Sequence, residues 1–414
     1  MNTNSNGFSG ARRIIMKTAA VLTAFIITAF NYGGAMSYIR SAPDAVYAEN
    51  ENALKEKLSY AFAEDGFSIT AESAGDDKLS PRSVALKLCG LITLRRIPVY
   101  VSERIVLVPG GQAVGISIYT DGVLIVGISG FRSQNGQTVS PAQKAGLKAG
   151  DTILSVNGTA VSSADELKQA LISEKGKVRL LVERSGARFE TELVPETSDS
   201  GEPRIGAWVR DSTVGVGTLS FFDPESQCFA ALGHPVTDAD TGSLLRVKDG
   251  KLVLAQIIGV SKGRPGAPGE LHGVFDGSSP QIGEIVSNTD LGIFGKLIDV
   301  TSEYFGNNAI ETAFPDEVHT GDAFLLCSAD GTLKGYSCRI IKTGKQNEPA
   351  PKGLVIEITD AELKELTGGI VQGMSGSPVI QDGRLVGVIT HVLVNDPAKG
   401  YGAYAYWMIK TNGG

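Results

Sequence analysis

From about residue 204 to the C-terminus, apolar and polar residues alternate in short runs broken by the turn dipeptides Asp249-Gly250, Asp330-Gly331 and Asp382-Gly383. Alternation at period two predicts half-buried strands. Asp-Gly between two such runs predicts a hairpin, because a type I′ turn needs positive φ at both central residues. Helical spacing is scarce there, and Ala361–Thr367 is the one obvious short helix. Many short strands with recurrent turns predict a barrel or a sandwich. Residues 101–196 mix both periods. Ser140 is placed to cap a short helix, with Pro141 at its first position, Gln143 completing a capping box and Gly146 ending it. A strand, Thr152–Val156, runs into Asn157-Gly158. Ser163 with Glu166 then opens a second helix whose apolar face holds Leu167, Ala170 and Leu171. Residues 197–204 are polar without a period and read as a linker. Residues 41–100 read as a membrane-proximal stalk leading into a small packed element.

The first forty residues follow another pattern. Arg12, Arg13 and Lys17 precede an apolar run of thirteen residues, Thr18–Phe30. That length suits an export signal, whereas a spanning helix needs roughly 20 residues. Gly33-Gly34-Ala35 and Val46-Tyr47-Ala48 are candidate cleavage points. The expectation is a signal-anchor over residues 1–40, cations on the cytoplasmic side and the remainder exported.

Composition narrows the classes. With 414 residues there is room for two or three domains, and 51 glycines with 7% aromatics suit a turn-rich β protein. The net charge is −7, and the first forty residues carry four cations and no acid, so the rest is more acidic still. Such a surface excludes nucleic-acid binding as the main task. Cys89, Cys228, Cys327 and Cys338 are widely spaced, with no Cys-x-x-Cys and no histidine at zinc spacing, so neither a metal nor a cofactor is expected. Cys327 and Cys338 flank a turn, and buried free thiols are their expected state.

The candidate chemistry sits in Gly373-Met374-Ser375-Gly376-Ser377-Pro378, just ahead of the hairpin at Asp382-Gly383. Small residues on both sides let the chain turn sharply and expose the Ser375 hydroxyl. The amides of Gly373 and Ser375 are then placed to converge on an oxyanion. A serine needs a base, and the chain holds four histidines, His234, His272, His319 and His391. His234 ends an apolar run, Ala231-Leu232-Gly233, and enters a Pro/Asp turn, where a rigid scaffold can present it to a cleft. His391 follows a strand only sixteen residues after the serine and is the weaker candidate.

Residues 373–390 resemble the nucleophile hairpin of trypsin-like serine peptidases. With Ala231–Asp240, Arg204-Ile205-Gly206, Gly292–Gly295, Thr367–Gln372 and Val394–Pro397, the chain resembles the stage IV sporulation protein B peptidases of endospore-forming bacteria from about residue 90 onward. The order His234 before Ser375 excludes an α/β-hydrolase, which puts its histidine last. The resemblance implies a trypsin-like double β-barrel over 205–414 in a mainly β chain with a small α+β module. It further implies a sporulation-signalling endopeptidase. Such an enzyme cleaves itself and a membrane-bound regulator, so triggering intramembrane activation of a late sigma factor in the space between forespore and mother cell. The family's acid aligns with Asp360, which is also a favoured N-cap for the helix at Ala361. Asp290 and Asp299 are reserves, and a Ser-His dyad stays open.

Residues 101–196 are similar to the PDZ domains of bacterial proteases, in their permuted order. That resemblance implies capture of an extended peptide or a C-terminal tail by a sheet edge, its carboxylate in a nest of amides. The matching positions are Gly115, Ile116 and Ser117 in Val114–Ile118, with Leu167 and Leu171 lining the groove from the helix. The rival reading is a non-catalytic PDZ adaptor whose peptidase-like domain serves only as a scaffold.

Overall fold

The computed structural model describes residues 43–61, 67–72, 82–88, 91–173, 176–298, 304–305, 308–346 and 348–411. The apolar run 18–30, Gly33-Gly34-Ala35, Cys89 and Asp299 lie outside the described residues. Among the described residues no helix is long and apolar enough to cross a membrane. The chain divides into two compact units, residues 1–103 and 104–414.

The first unit holds a small packed element. Strands β1 (Val46–Ala48), β2 (Phe67–Glu72), β3 (Arg82–Leu88) and β4 (Ile92–Val101) pair in the order β1-β4-β3-β2, with helix α1 (Glu51–Ala61) between β1 and β2. Val46, Leu54, Val84, Leu86, Ile97 and Val99 form its core. Val46-Tyr47-Ala48, a candidate cleavage point by sequence, is a buried strand paired in parallel with Val99–Val101. In the folded unit this segment therefore offers no accessible backbone to a peptidase.

The second unit begins with β5 (Val106–Pro109) and the long strand β6 (Ala113–Ile128). After β6 come a small ribbon, β7 (Phe131–Arg132) with β8 (Thr138–Val139), and helix α2 (Pro141–Lys144). Then follow β9 (Thr152–Val156), β10 (Thr159–Ala160), helix α3 (Ala164–Ser173), β11 (Val178–Arg184) and β12 (Ala187–Leu193). Several local expectations hold. Asn157 and Gly158 both have positive φ, as a type I′ turn requires, and Gly146 at φ 76° ends α2. Ser163 Oγ accepts the amide of Glu166, while Glu166 reaches back to the Ser162 amide. Ser140 differs, since its hydroxyl makes no capping bond and is buried without a partner. The supposed linker is no free tether either. Strands β13 (Glu196–Thr197) and β14 (Pro203–Arg204) pair into a ribbon, and Ser198 between them is buried.

The chain returns along β15 (Ala207–Phe222), which runs antiparallel to β6 for nearly its full length. Strands β16 (Cys228–Ala231), β17 (Val247–Leu254), β20 (Gln281–Thr289) and β21 (Gly292–Leu297) then close the ring β6-β17-β20-β21-β16-β15. A separate hairpin, β18 (Gln256–Ser261) with β19 (Glu270–Val274), leaves this ring. Inside the ring pack Val114, Ile116, Ile118, Leu219, Phe222, Phe229, Leu252 and Ile293. Asp249-Gly250 makes no turn and lies within β17. A Cβ on Gly250 would stand 2.8 Å from Ile285 Cβ and 3.1 Å from Ser117 O, so close packing, not a turn, needs the glycine there.

A second, closed barrel follows the short strand β22 (Ile310–Glu311). It comprises β23 (Gly321–Cys327), β24 (Lys334–Thr343), β25 (Leu354–Ile358), β26 (Pro378–Gln381), β27 (Arg384–Val392) and β28 (Lys399–Tyr404), in the order β23-β24-β25-β28-β27-β26. Helix α4 (Ala361–Thr367) interrupts it as expected, and α5 (Ala405–Thr411) ends the described chain. Asp382 and Gly383 have φ of 52° and 76°, the hairpin predicted from their identity. Cys327 and Cys338 are buried free thiols, both pushed up to about 12 chiefly by burial.

The PDZ-like module is thus an insertion. Its core, including Val123, Ile125, Ile153, Leu167, Leu171, Val178, Leu180 and Val182, is separate from the ring's. The module starts in the middle of β6 and ends in the middle of β15, not at residues 101 and 196.

Candidate active site

Ser375 sits in a loop that only small residues can build. Gly373 and Gly376 flank it at φ 93° and 99°. A Cβ on Gly376 would stand 2.2 Å from Thr218 O and 2.6 Å from Leu232 N, so this loop presses directly on the first ring. Thr218 of β15 locks it from the other side. Its Oγ1 donates to Gly373 O at 2.7 Å, and its amide donates to Ser375 O at 3.0 Å. The Gly376 amide donates to Ile389 O at 2.7 Å. The N–H groups of Gly373 and Ser375 donate no hydrogen bond among the described residues. Both amides are therefore free to take an acceptor.

His234 reaches the same place from β16. Leu232 and Gly233, at φ 73° and 72°, turn the chain out of the strand, and Gly233 packs where a Cβ would lie 2.6 Å from Val388 of β27. Asn288 ties down the following loop, accepting the Val236 amide at 2.9 Å and donating to Val236 O and Leu245 O. Asp238, with a fully buried side chain, accepts the Asp240 and Thr241 amides and pairs with Arg210 of β15. Arg210 also holds Asp240 at 2.8 Å.

Ser375 and His234 line one cavity of about 510 Å³ with His391, Thr390, Gly373 and Gln372. Its remaining wall is mainly aliphatic, including Ile116, Val214, Val216, Val371 and Val392. Pro268, from the loop between β18 and β19, reaches it too. The serine hydroxyl donates to Thr390 O at 2.9 Å, so in this conformation it is not bonded to His234. His234 Nδ1 lies 2.9 Å from Pro235 O, which places its proton on Nδ1 and leaves Nε2 as the base. Burial pushes the His234 imidazolium below its ordinary value, and the Pro235 carbonyl opposes this in part. Burial therefore favours the neutral ring, the form a general base needs.

Three sequence expectations need correction. Asp360 does not meet His234. Its two carboxylate oxygens accept the amides of Leu363 and Ser337, so it caps α4 and pins β24, and it is not among the residues lining the cavity. The capping preference of Asp accounts for the residue without the site. Asp290 is exposed at the β20–β21 turn and does not line the cavity. Gly115, Ile116 and Ser117 form no peptide groove, because they pair with both β17 and β15 inside the ring. Phe275 fills the space a Gly115 side chain would take, and Ile116 lines the serine cavity instead.

Leu167 and Leu171 do lie on the module helix, and both are buried in its core. The strand beside α3 is β15, with β9 and β14 also in contact, and the edge of the distal half of β6 is already occupied. Ala207, Trp208, Val209 and Arg210 of β15 pair there with Ile128, Gly127, Ile125 and Leu124. Ala207 and Val209 pack against the module core. Asp211 accepts the Ala164 amide at the start of α3 at 2.8 Å.

Sequence reasoning ranked His391 below His234 and gave it no place in the site. Its ring centroid lies 5.0 Å from that of His234, and the signal available was its position two strands on from the serine.

The fold and site define a PDZ-bearing serine peptidase, and comparison with known proteins agrees. The model of the SpoIVB peptidase S55 family matches residues 201–409, and a PDZ domain model matches residues 135–184. The chain belongs to the SpoIVB peptidase S55 family. The zinc metalloprotease Rip1 of Mycobacterium tuberculosis is 34% identical over 119 residues, 28% of this chain and 29% of that protein. A putative zinc metalloprotease of Rhizobium meliloti is 29% identical over 80 residues, 19% of this chain and 21% of that protein. The chain thus spans under a third of the length of these curated relatives. The crystal structure of the Rv3671c protease from M. tuberculosis, active form, matches 48% of this chain and 72% of its own at 16% identity, with a TM-score of 0.27. Likeness of that size has no bearing on the fold.

Proposed function

We propose that this chain is an exported serine endopeptidase of sporulation signalling, cutting itself and a membrane-bound regulator so that an intramembrane protease can activate a late sigma factor. The observation that carries the peptidase reading is the meeting of Ser375, His234 and two undonated amides at one cavity. The signalling role rests on family membership. Export rests on the cations that precede the apolar run in residues 1–40.

In the reaction, the Ser375 hydroxyl leaves Thr390 O and gives its proton to His234 Nε2 as Oγ attacks a peptide carbonyl. The Gly373 and Ser375 amides hold the oxyanion, and such donors are worth about 10²–10³ in rate each. His234 returns the proton to the leaving amine, and water repeats the cycle on the acyl-enzyme. On this reading the two rings serve as the two barrels of a trypsin-like peptidase, and residues of both line the cavity.

The PDZ module governs access by competition. A substrate tail that adds to the distal half of β6 has to displace Ala207–Arg210 first, which favours tethered or abundant ligands.

The test is reaction of the full chain with a fluorophosphonate, read by intact mass and peptide mapping. Labelling at Ser375 that vanishes in Ser375→Ala and His234→Ala is the expected result. A chain that takes up no label yet binds peptide is the adaptor instead. Self-cleavage fragments present in wild type and missing in Ser375→Ala extend the test to peptide bonds.

A further inference from the structure

Two imidazoles, not one, stand beside the serine. His234 and His391 both line the cavity, and no carboxylate is among its lining residues. The rings are 5.0 Å apart between centroids and tilted by 43°. His391 Nδ1 is buried and has no hydrogen-bond partner among the described residues. A buried nitrogen left without a partner is destabilising, so it needs an explanation. The carbonyl that holds the Ser375 hydroxyl belongs to Thr390, the residue before His391. One strand, β27, therefore serves both the nucleophile and the second ring.

Resting on the peptidase reading, we propose that His391 is the positioning residue of the site, taking the third place that the sequence suggested for Asp360. As Ser375 Oγ–H breaks and His234 Nε2–H forms, His234 becomes a cation and its Nδ1–H a stronger donor. Pro235 O accepts that proton in the resting site. The lone pair of His391 Nδ1, on a ring whose centroid is 5.0 Å from that of His234, is a second acceptor for the imidazolium. No proton moves to His391, which stays neutral with its own hydrogen on Nε2. The groups facing His391 are His234, Lys352 before β25, and Tyr401, its register partner on β28. Burial, His234 and Lys352 together push His391 down to about 4, which keeps it an acceptor at neutral pH.

The test follows the rate of fluorophosphonate labelling of Ser375 from about pH 5 to about pH 9 in the full chain, as wild type and as His391→Ala, His391→Gln and His391→Asp. Loss of the acceptor should slow His391→Ala by about tenfold or more, and His391→Gln, with a neutral acceptor, should recover most of that. A carboxylate beside His234 raises its pKa, so the acid limb of His391→Asp should move up by about one pH unit or more. Wild-type rates in His391→Ala would overturn the proposal. So would equal slowing of Ala and Gln with an unmoved acid limb, the mark of a packing role. Should His391→Ala fail to fold by circular dichroism, an unmoved acid limb in His391→Asp decides against it. Absence of label on wild type would defeat the peptidase reading itself, which separates the two failures.

Discussion

At the scale of single residues, the site depends on where a few atoms are denied space or a partner. Gly376 is the tightest case, since positive φ and backbone 2.2 Å from its missing Cβ act together. Gly376→Ala should destabilise the chain by more than about 2 kcal/mol in chemical unfolding and abolish fluorophosphonate labelling. His234 and His391 make stability depend on pH, with a sign that can be worked out. Both are lowered in the fold by burial, His391 to about 4, against an ordinary 6.5. As pH falls the unfolded chain binds protons first. Stability is thus full above about 6.5, declines towards about 4 and then levels for this group. A melting temperature measured across that range should fall less steeply in His391→Leu than in wild type.

At the scale of elements, β15 is the strand on which the others depend. Along one antiparallel run it fills the module's sheet edge with Ala207–Arg210, caps α3 through Asp211 and grips the His234 loop through Arg210. It then lines the cavity with Thr213–Val216 and clasps the serine loop through Thr218. Arg210→Ala leaves the buried Asp238 carboxylate unpaired, which should cost about 3 kcal/mol by chemical unfolding. Labelling of Ser375 should slow as well, because the same carboxylate orders the loop after His234. Peptide capture at this edge has a clear signature. A peptide ending in an apolar carboxylate, once bound, should speed hydrogen exchange at Val209 and Arg210 while β6 stays protected. Unchanged exchange with bound peptide would place the ligand elsewhere.

At the scale of the whole molecule, an insertion that leaves and re-enters a barrel through two paired strands can be removed without cutting the core. Tyr119 and Ser212 are register partners where β6 and β15 leave the ring. Replacing residues 120–211 with an Asn-Gly turn should therefore give a two-barrel chain that unfolds cooperatively by circular dichroism. Its Ser375 should still accept label, more slowly than in the full chain, since Arg210 goes with the module. If that chain does not fold, the module is part of the ring's stability.

What the sequence determined by itself was local and periodic. Alternation, Asn157-Gly158, Asp382-Gly383, Asp360 before Ala361, and glycines around Ser375 each act within a few residues, so their outcome can be read in order. The same locality explains the errors. Val114–Ile118 has the look of a glycine-bearing edge strand, and only its neighbours, β17 and β15, make it a ring interior. Asp360 has the residue type of a catalytic acid, and two amides brought to it by β24 and α4 make it a cap. Tertiary structure alone decided that two strands carry both ring and module, that the module's edge is filled from within, and that His391 meets His234. Those are contacts between residues 79 to 157 positions apart, set by which strands close a barrel, and no short window along the chain contains them.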